Sequence, residues 1–233
     1  MIQVKHTFQE HKDEINLFYD FLDNIISHDG RLIIDPPVNT ISPINVDTRS
    51  VAKSSFVLML YNCVESTVGN CLNTVIREIE SEGCKYGDLI EPIQVASLAA
   101  YDYKLMECDS KDRRGKLLKQ QTDFAAGWSV IKLDVKSLVG SSSQGSFSGS
   151  LDAREIKKIF QRVGIDLSSL TCNEMKPIKD GRNKLAHGEL SFQEYGGRLS
   201  IQYLKVCKDN TLSYLQGLID NVDVFLSNKE YKR

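Results

Sequence analysis

The side chains most capable of chemistry lie in one short stretch: an arginine, an asparagine and a histidine. Arg182 is followed directly by Asn183, and His187 comes four residues after the asparagine. In a helix, residues four apart share a face, and a long arginine side chain can reach that face from its edge. The stretch therefore offers a permanent positive charge, a neutral amide and an imidazole that gives or accepts a proton.

The residues around these three predict a helix of about three turns. Pro177 fits its first turn, where a missing N–H has no consequence, and Gly188 fits the position just past its end, where the backbone becomes left-handed. Ile178 and Leu185 are seven residues apart and mark the side that faces the core. We predict that the helix ends at His187, which places the candidate chemistry at its C-terminal end.

The rest of the chain predicts an all-α fold. Apolar residues recur at threes and fours over about 8–27, from Asp47 or Thr48 to about Ser81, and over about 86–107. Asp152 and Glu155 form a capping-box pattern that opens a further helix, and a last helix ends near residue 227. The second helix is the longest, so we expect it to lie at the centre of the fold.

Three segments between these helices lack helical periodicity. The proline-containing stretch over 30–45 predicts an irregular connection, and residues 190–198 predict a turn or a small hairpin. Residues 109–150 form an irregular or β insertion that ends in a Ser/Gly-rich loop over 140–150. The insertion has too few apolar residues for a second core, so we predict a single domain over 1–233.

Composition narrows the possible functions. The net charge of −2 excludes a polycation held on nucleic acid by its overall charge. The six cysteines include no CxxC pair, and near residues 182–187 no His, Cys or paired carboxylates stand at metal-binding spacing, so we predict no metal and no cofactor. The chain shows no secretory leader and no apolar run long enough for a membrane, which predicts a cytoplasmic protein.

Several segments resemble one superfamily. Residues 182–188, RNKLAHG, are similar to the R-x4-6-H signature of the HEPN superfamily, in which a polar residue commonly follows the arginine. Residues 58–67, LMLYNCVEST, resemble a block in the long helix of one branch, the MAE-type HEPN-like nucleases, and residues 147–156 and 191–196 resemble segments that flank its motif. The resemblance covers most of the chain in the right order and implies a HEPN-like helical bundle with a long central helix.

The resemblance also implies an activity. The implied protein is a metal-independent RNA endonuclease that works as a symmetric homodimer. Its catalytic residues, around the two-fold axis, would be Arg182, Asn183 and His187. RNA supplies its own nucleophile, the 2′-OH, so the protein needs a proton donor or acceptor and a cation beside the phosphate. Phage defence or a toxin–antitoxin system, with a partner protein, is the expected context. A modified tyrosine two residues after the histidine, known in some HEPN toxins, is replaced here by Glu189.

Two further groups could serve such a site. The block resemblance places Tyr61, Asn62 and Glu65 of the central helix near it, although a half-buried polar cluster at a helix crossing would have the same sequence. A basic cluster in the insertion could contact RNA phosphates or simply face solvent. It consists of Lys111, Arg113, Arg114, Lys116 and Lys119.

Two alternatives to an enzyme stay open. The chain could be a non-catalytic HEPN-like module that binds RNA or a nucleotide, forms dimers and assists another defence protein. It could also be a helical interaction domain in which Arg182 and His187 only cap their helix.

Overall fold

Helices build most of the protein in a computed structural model. The structure describes residues 1–28, 30–35, 40–106 and 151–233, and between the last two ranges only residues 115, 119, 122, 133 and 135. Within these ranges the helices are α1 (Ile2–Ser27), α2 (Val46–Ser81), α3 (Glu91–Met106), α4 (Ala153–Gln161), α5 (Met175–Ala186), α6 (Phe192–Gly197) and α7 (Ile201–Ser227). The predicted all-α bundle is confirmed.

The central position of α2 is confirmed as well. It packs against α1, α5, α6 and α7. Apolar residues at intervals of three and four along it are fully buried, among them Leu60, Val64 and Leu72, each 0 % exposed. A helix with neighbours on several sides needs apolar residues on more than one stripe, which is why its periodicity is so clear in the sequence.

The residue that caps α2 was predicted wrongly. Asn45 caps the helix, and its side-chain oxygen accepts the Thr48 backbone N–H at 2.7 Å. Asp47 already lies in the first turn, where its charge complements the positive end of the helix dipole. Several polar residues stand in a row here, and only the backbone of Asn45, with φ −67° and ψ 160°, has the extended conformation that a cap requires.

Two connections are more regular than predicted. The irregular connection after α1 is an antiparallel hairpin of β1 (Arg31–Asp35) and β2 (Thr40–Pro43), in which Ile33 pairs with Ile41. The predicted turn or hairpin near residue 190 is instead the helix α6. Ser191 and Glu194 form its capping box, since each side chain accepts the other's backbone N–H.

The other helix boundaries lie near their predicted positions. A 3-10 helix, Tyr86–Asp88, precedes α3, which begins at Glu91 and holds Pro92 in its first turn. Asp152 caps α4 as predicted and accepts the backbone N–H groups of Arg154 and Glu155, both at 3.1 Å. The end of α7 agrees with the predicted end near residue 227.

Most of the insertion predicted over 109–150 lies outside the described residues. This includes the Ser/Gly-rich loop over 140–150 and four of the five basic residues. Leu133 is buried, and its backbone N–H donates to a Glu80 carboxylate oxygen at 3.0 Å. Val135 is helical and packs against the core. The single-domain organisation stays a prediction. No helix in the described ranges is both long enough and apolar enough to cross a membrane.

Candidate active site

The helix α5 forms where the sequence predicted it. Ile178 and Leu185 face the core and are 2 % and 7 % exposed. His187 is the C-cap, and its backbone N–H donates to the Asn183 carbonyl oxygen at 2.9 Å. Gly188 follows with φ +69°, the left-handed conformation that glycine adopts without strain. The imidazole therefore stands at the point where the helix ends.

The Arg182 guanidinium contacts both α5 and the central helix. Its Nη1 atom donates to the side-chain oxygen of the neighbouring Asn183 at 3.3 Å. Its central carbon lies 5.4 Å from the centre of the Tyr61 ring. A cation over an aromatic face in a partly buried place is stabilised by about 0.5–2 kcal/mol. The ring and the amide together fix where this positive charge lies.

Tyr61 links this cation to a carboxylate on α2. Its ring is 0 % exposed, and its hydroxyl accepts the backbone N–H of Leu151 at 3.1 Å. The same hydroxyl donates to the Glu65 carboxylate. Burial raises the pKa of Tyr61, and the charge of Glu65 raises it further. The phenol therefore stays protonated and acts as a fixed hydrogen-bonding bridge.

A largely buried ion pair fixes α5 against α4. The Lys179 ammonium lies 2.7 Å from an Asp152 carboxylate oxygen, and the two side chains are 17 % and 15 % exposed. Burial raises the pKa of Asp152, but the hydrogen bonds from Lys179 and from the N–H groups of Glu155 and Arg154 outweigh it, so the pKa is lowered overall. Asp152 thus caps one helix and holds another with the same charged group.

Two glycines allow α6 to pack tightly beside this site. A Cβ atom at Gly181 would overlap the hydroxyl group of Tyr195, and one at Gly196 would overlap the backbone carbonyl of Ser50. Ser54 is 0 % exposed, and its hydroxyl donates to the Phe192 carbonyl oxygen at 2.5 Å. Sequence reasoning missed this contact. The available signal was the pair of small residues four apart at the start of α2.

The structure brings together four of the predicted site residues. Arg182, Asn183, Tyr61 and Glu65 form one connected cluster. His187 is exposed at the end of the same helix, and its side chain has no hydrogen bond or ion pair to any residue that the structure describes.

The other predicted residues lie apart from this cluster. Asn62 is exposed, whereas its neighbour Tyr61 is buried, so the two point to different sides of α2. Lys119 is exposed, and the rest of its basic cluster lies outside the described residues. In the described part of the chain, no three His, Cys, Asp or Glu side chains stand close enough together to hold a metal ion.

Comparison with protein families gives one match. The model of the MAE-type HEPN-like family matches residues 3–231, which include both the Tyr61–Glu65 block and the R-x4-H stretch. The chain belongs to this HEPN family. No curated protein and no solved structure matches it. Membership of the HEPN family indicates a nuclease-like or nucleotide-binding module, which agrees with a site built from an arginine, an amide and an imidazole.

Proposed function

We propose that this HEPN protein is a metal-independent RNA endonuclease in which Arg182 and His187 are catalytic. The observation that carries the proposal is the position of the Arg182 guanidinium, held between the Tyr61 ring and Asn183 beside the helix end that presents His187. A fixed positive charge and an exposed imidazole on the same helix suit a reaction at a phosphate group.

The reaction needs only groups that the chain and RNA supply. The 2′-oxygen bonds to the adjacent phosphorus while the P–O bond to the 5′-oxygen breaks, which leaves a 2′,3′-cyclic phosphate and a 5′-hydroxyl end. His187 accepts the proton of the 2′-OH or donates one to the departing oxygen. Arg182 binds two phosphate oxygens through its planar fork as negative charge builds up on them. Asn183 fixes the guanidinium or bonds to the phosphate.

Tyr61 and Glu65 are positioning residues in this proposal. The Tyr61 ring holds Arg182 from the side of α2, and Glu65 holds the Tyr61 hydroxyl. The raised pKa of Tyr61 keeps its phenol protonated at neutral pH, so it gives up no proton in the reaction. A charge placed in advance needs no reorganisation during the reaction, which is the main advantage of such a support.

A symmetric homodimer completes the site. Transesterification benefits from both an acid and a base, whereas one chain supplies a single histidine near Arg182. Two-fold pairing of the α5 C-terminal ends gives the dimer two histidines, one for each role. The exposure of His187 supports this arrangement, because the imidazole is accessible to a second copy and to RNA. Phage defence or a toxin–antitoxin system with a partner protein is the context we propose.

The second candidate is a non-catalytic module that binds RNA or a nucleotide. One observation favours it: within the described chain no side chain orients the His187 imidazole, whereas Arg182 is firmly held. Such a protein would bind phosphate groups through Arg182 and would not depend on His187.

Cleavage of a mixed RNA pool in EDTA distinguishes the two candidates. Wild type, R182A, H187A and the control K184A, which removes an exposed lysine from the same helix, are compared with a matched DNA pool. We expect wild type and K184A to cleave RNA but not DNA, and both R182A and H187A to lose at least a hundredfold in rate while folded and dimeric. RNA binding without cleavage by any of the four proteins would instead establish the second candidate, whereas cleavage retained in H187A would refute the catalytic role of His187.

A further inference from the structure

A second polar pocket lies at the opposite end of α5 from His187. It has a volume of about 420 Å³, within the range of pockets that hold small ligands. Its walls are the start of α4, the segment that precedes α5 and the first turn of α5 itself. Arg154 and Lys157 line it from α4, and Lys176 lines it from α5.

The charges around this pocket do not balance. Asp152 is the only carboxylate in its lining, and that group is already occupied by Lys179 at 2.7 Å. Lys157 donates to the Ser168 carbonyl oxygen at 3.1 Å, and its charge also helps to lower the pKa of Asp166, which is not part of the pocket lining. The Arg154 guanidinium has no ion pair with any residue in the described ranges. Three cations thus line the pocket with one carboxylate that is already paired outside it, and this excess of positive charge favours an anion.

The third cation of the pocket, Lys176, interacts electrostatically with Arg154. The Lys176 ammonium pairs with Asp180 at 2.6 Å. That hydrogen bond raises the pKa of Lys176, whereas the charge of Arg154 acts in the opposite direction. Arg154 on α4 and Lys176 on α5 both line the pocket, so their positive charges act on the same space from two helices.

The pocket and the candidate active site share one face of α5. Asn183 and His187 follow Lys176 by seven and eleven residues, which are about two and three whole turns of a helix. Lys176 and His187 are therefore about 16 Å apart along the axis and lie on the same side. A single strand laid along this face would contact both ends of the helix.

We propose that the pocket lined by Arg154, Lys157 and Lys176 binds a backbone phosphate of the RNA strand, away from the bond that is cleaved. This inference rests on the proposed function, because it names a second contact for the same substrate. The cations hold the strand without reading its sequence, since phosphate groups are the same at every nucleotide.

The test measures binding separately from cleavage. A fluorescently labelled single-stranded RNA with 2′-O-methyl groups has no nucleophile, so its anisotropy reports binding alone. The variants are R154Q and K157Q, and the control is K158Q, which removes a lysine from the same helix that pairs with Glu155 at 2.7 Å outside the pocket. Thermal melting confirms that each variant is folded.

We expect R154Q and K157Q each to weaken RNA binding roughly fivefold. Each should also reduce the slope of log K against log salt by about 0.7, the value for one phosphate contact on a single strand. K158Q should change neither quantity. Equal effects in all three variants would mean that only net charge matters, and would overturn the proposal.

The remaining outcomes separate this inference from the proposed function. If wild type cleaves unmodified RNA in EDTA but R154Q and K157Q bind RNA as K158Q does, the pocket proposal is wrong and the nuclease stands. If RNA binding depends on Arg154 but no RNA is cleaved, the proposal of an RNA phosphate pocket is supported and the proposal of nuclease activity is wrong. Adenosine monophosphate binding that is lost in R154Q, with RNA binding unchanged, would assign the pocket to a free nucleotide and overturn the RNA subsite.

Discussion

Replacing Tyr61 tests whether the central helix really supports Arg182. The hydroxyl accepts the Leu151 N–H at 3.1 Å and donates to Glu65, while the ring lies under the guanidinium. Y61F removes the first two contacts and keeps the third. Y61L removes all three. The pair of variants therefore separates the hydroxyl from the ring.

The expected magnitudes follow from what each variant leaves unpaired. In Y61F the N–H of Leu151, a residue that is 0 % exposed, loses its acceptor, and a buried unsatisfied N–H costs about 1–3 kcal/mol. Glu65 is only half-buried, so water replaces its lost donor. In Y61L the guanidinium also loses about 0.5–2 kcal/mol of attraction to the ring. If all of that is lost in the transition state, RNA cleavage slows by about 2- to 30-fold.

Urea unfolding and initial cleavage rates measure the two effects. We expect Y61F to lower the free energy of unfolding by about 1–3 kcal/mol and to keep most of the activity, and Y61L to lose activity beyond Y61F. Tyr203, whose hydroxyl bonds to Cys207 and not to Glu65 or Leu151, provides the control Y203F, for which we expect a loss of about 0.5–1.5 kcal/mol in stability and no change in cleavage. Equal cleavage by folded Y61L and Y61F would refute the idea that the ring holds Arg182.

Three other predictions concern the packing of the bundle. G181A should lower the melting temperature, because its Cβ would overlap the Tyr195 hydroxyl group and overpacking costs about 1–3 kcal/mol; in a Y195A background the same change should cost much less. Y231A should lower the free energy of unfolding in urea by about 3–5 kcal/mol, because this ring is 0 % exposed beside Phe225, whereas the exposed neighbour E230A should have little effect. Hydrogen bonds from Lys229 and then Lys232 lower the pKa of Glu82 from 4.5 to about 2. The contribution of Glu82 to stability is therefore present above about pH 4.5 and is lost as the pH falls toward 2. In acid titrations that measure stability, E82Q and wild type should differ least at the low end of this range.

The long helices could be predicted because their burial is repeated along the chain. Val64, Leu72 and Ile79 of α2 are all 0 % exposed, and each lies on an apolar stripe that the sequence displays directly. The end of α5 was predicted for a different reason. Gly188 adopts φ +69°, a conformation that few other residues tolerate, so its position after a periodic segment is informative by itself.

The errors occurred where the outcome depends on contacts between distant segments. Three polar residues near the start of α2 could cap it, and Asn45 is the cap because its backbone is extended, whereas Asp47 and Thr48 already lie within the helix. The helix α6 has six residues, too few for a periodic pattern, and tight packing on Ser50 and Ser54 holds it in place. Propensity is a weak guide in such short segments because tertiary contacts decide them.

In the candidate site, too, the local features could be predicted and the contacts between distant segments could not. The helix that carries Arg182, Asn183 and His187 could be predicted, because its periodicity and its ends are local features of the sequence. That Tyr61 and not Asn62 supports Arg182 could not, because it depends on how α2 is rotated about its axis. The resemblance to a family block included both residues and did not distinguish them.

Contacts on separate sides of α5 fix the place of Arg182. Asp152 holds Lys179 from α4, Tyr195 fills the space left by Gly181 from α6, and the Tyr61 ring supports the guanidinium from α2. A catalytic group on a rigid helix with independent supports keeps its geometry better than one on a loop. His187 has none of these supports, because it lies one residue beyond the helix and faces outward. If the protein is a nuclease, orientation of the imidazole must come from the second protomer or from the RNA, and H187A should then leave the stability of the monomer unchanged while abolishing cleavage.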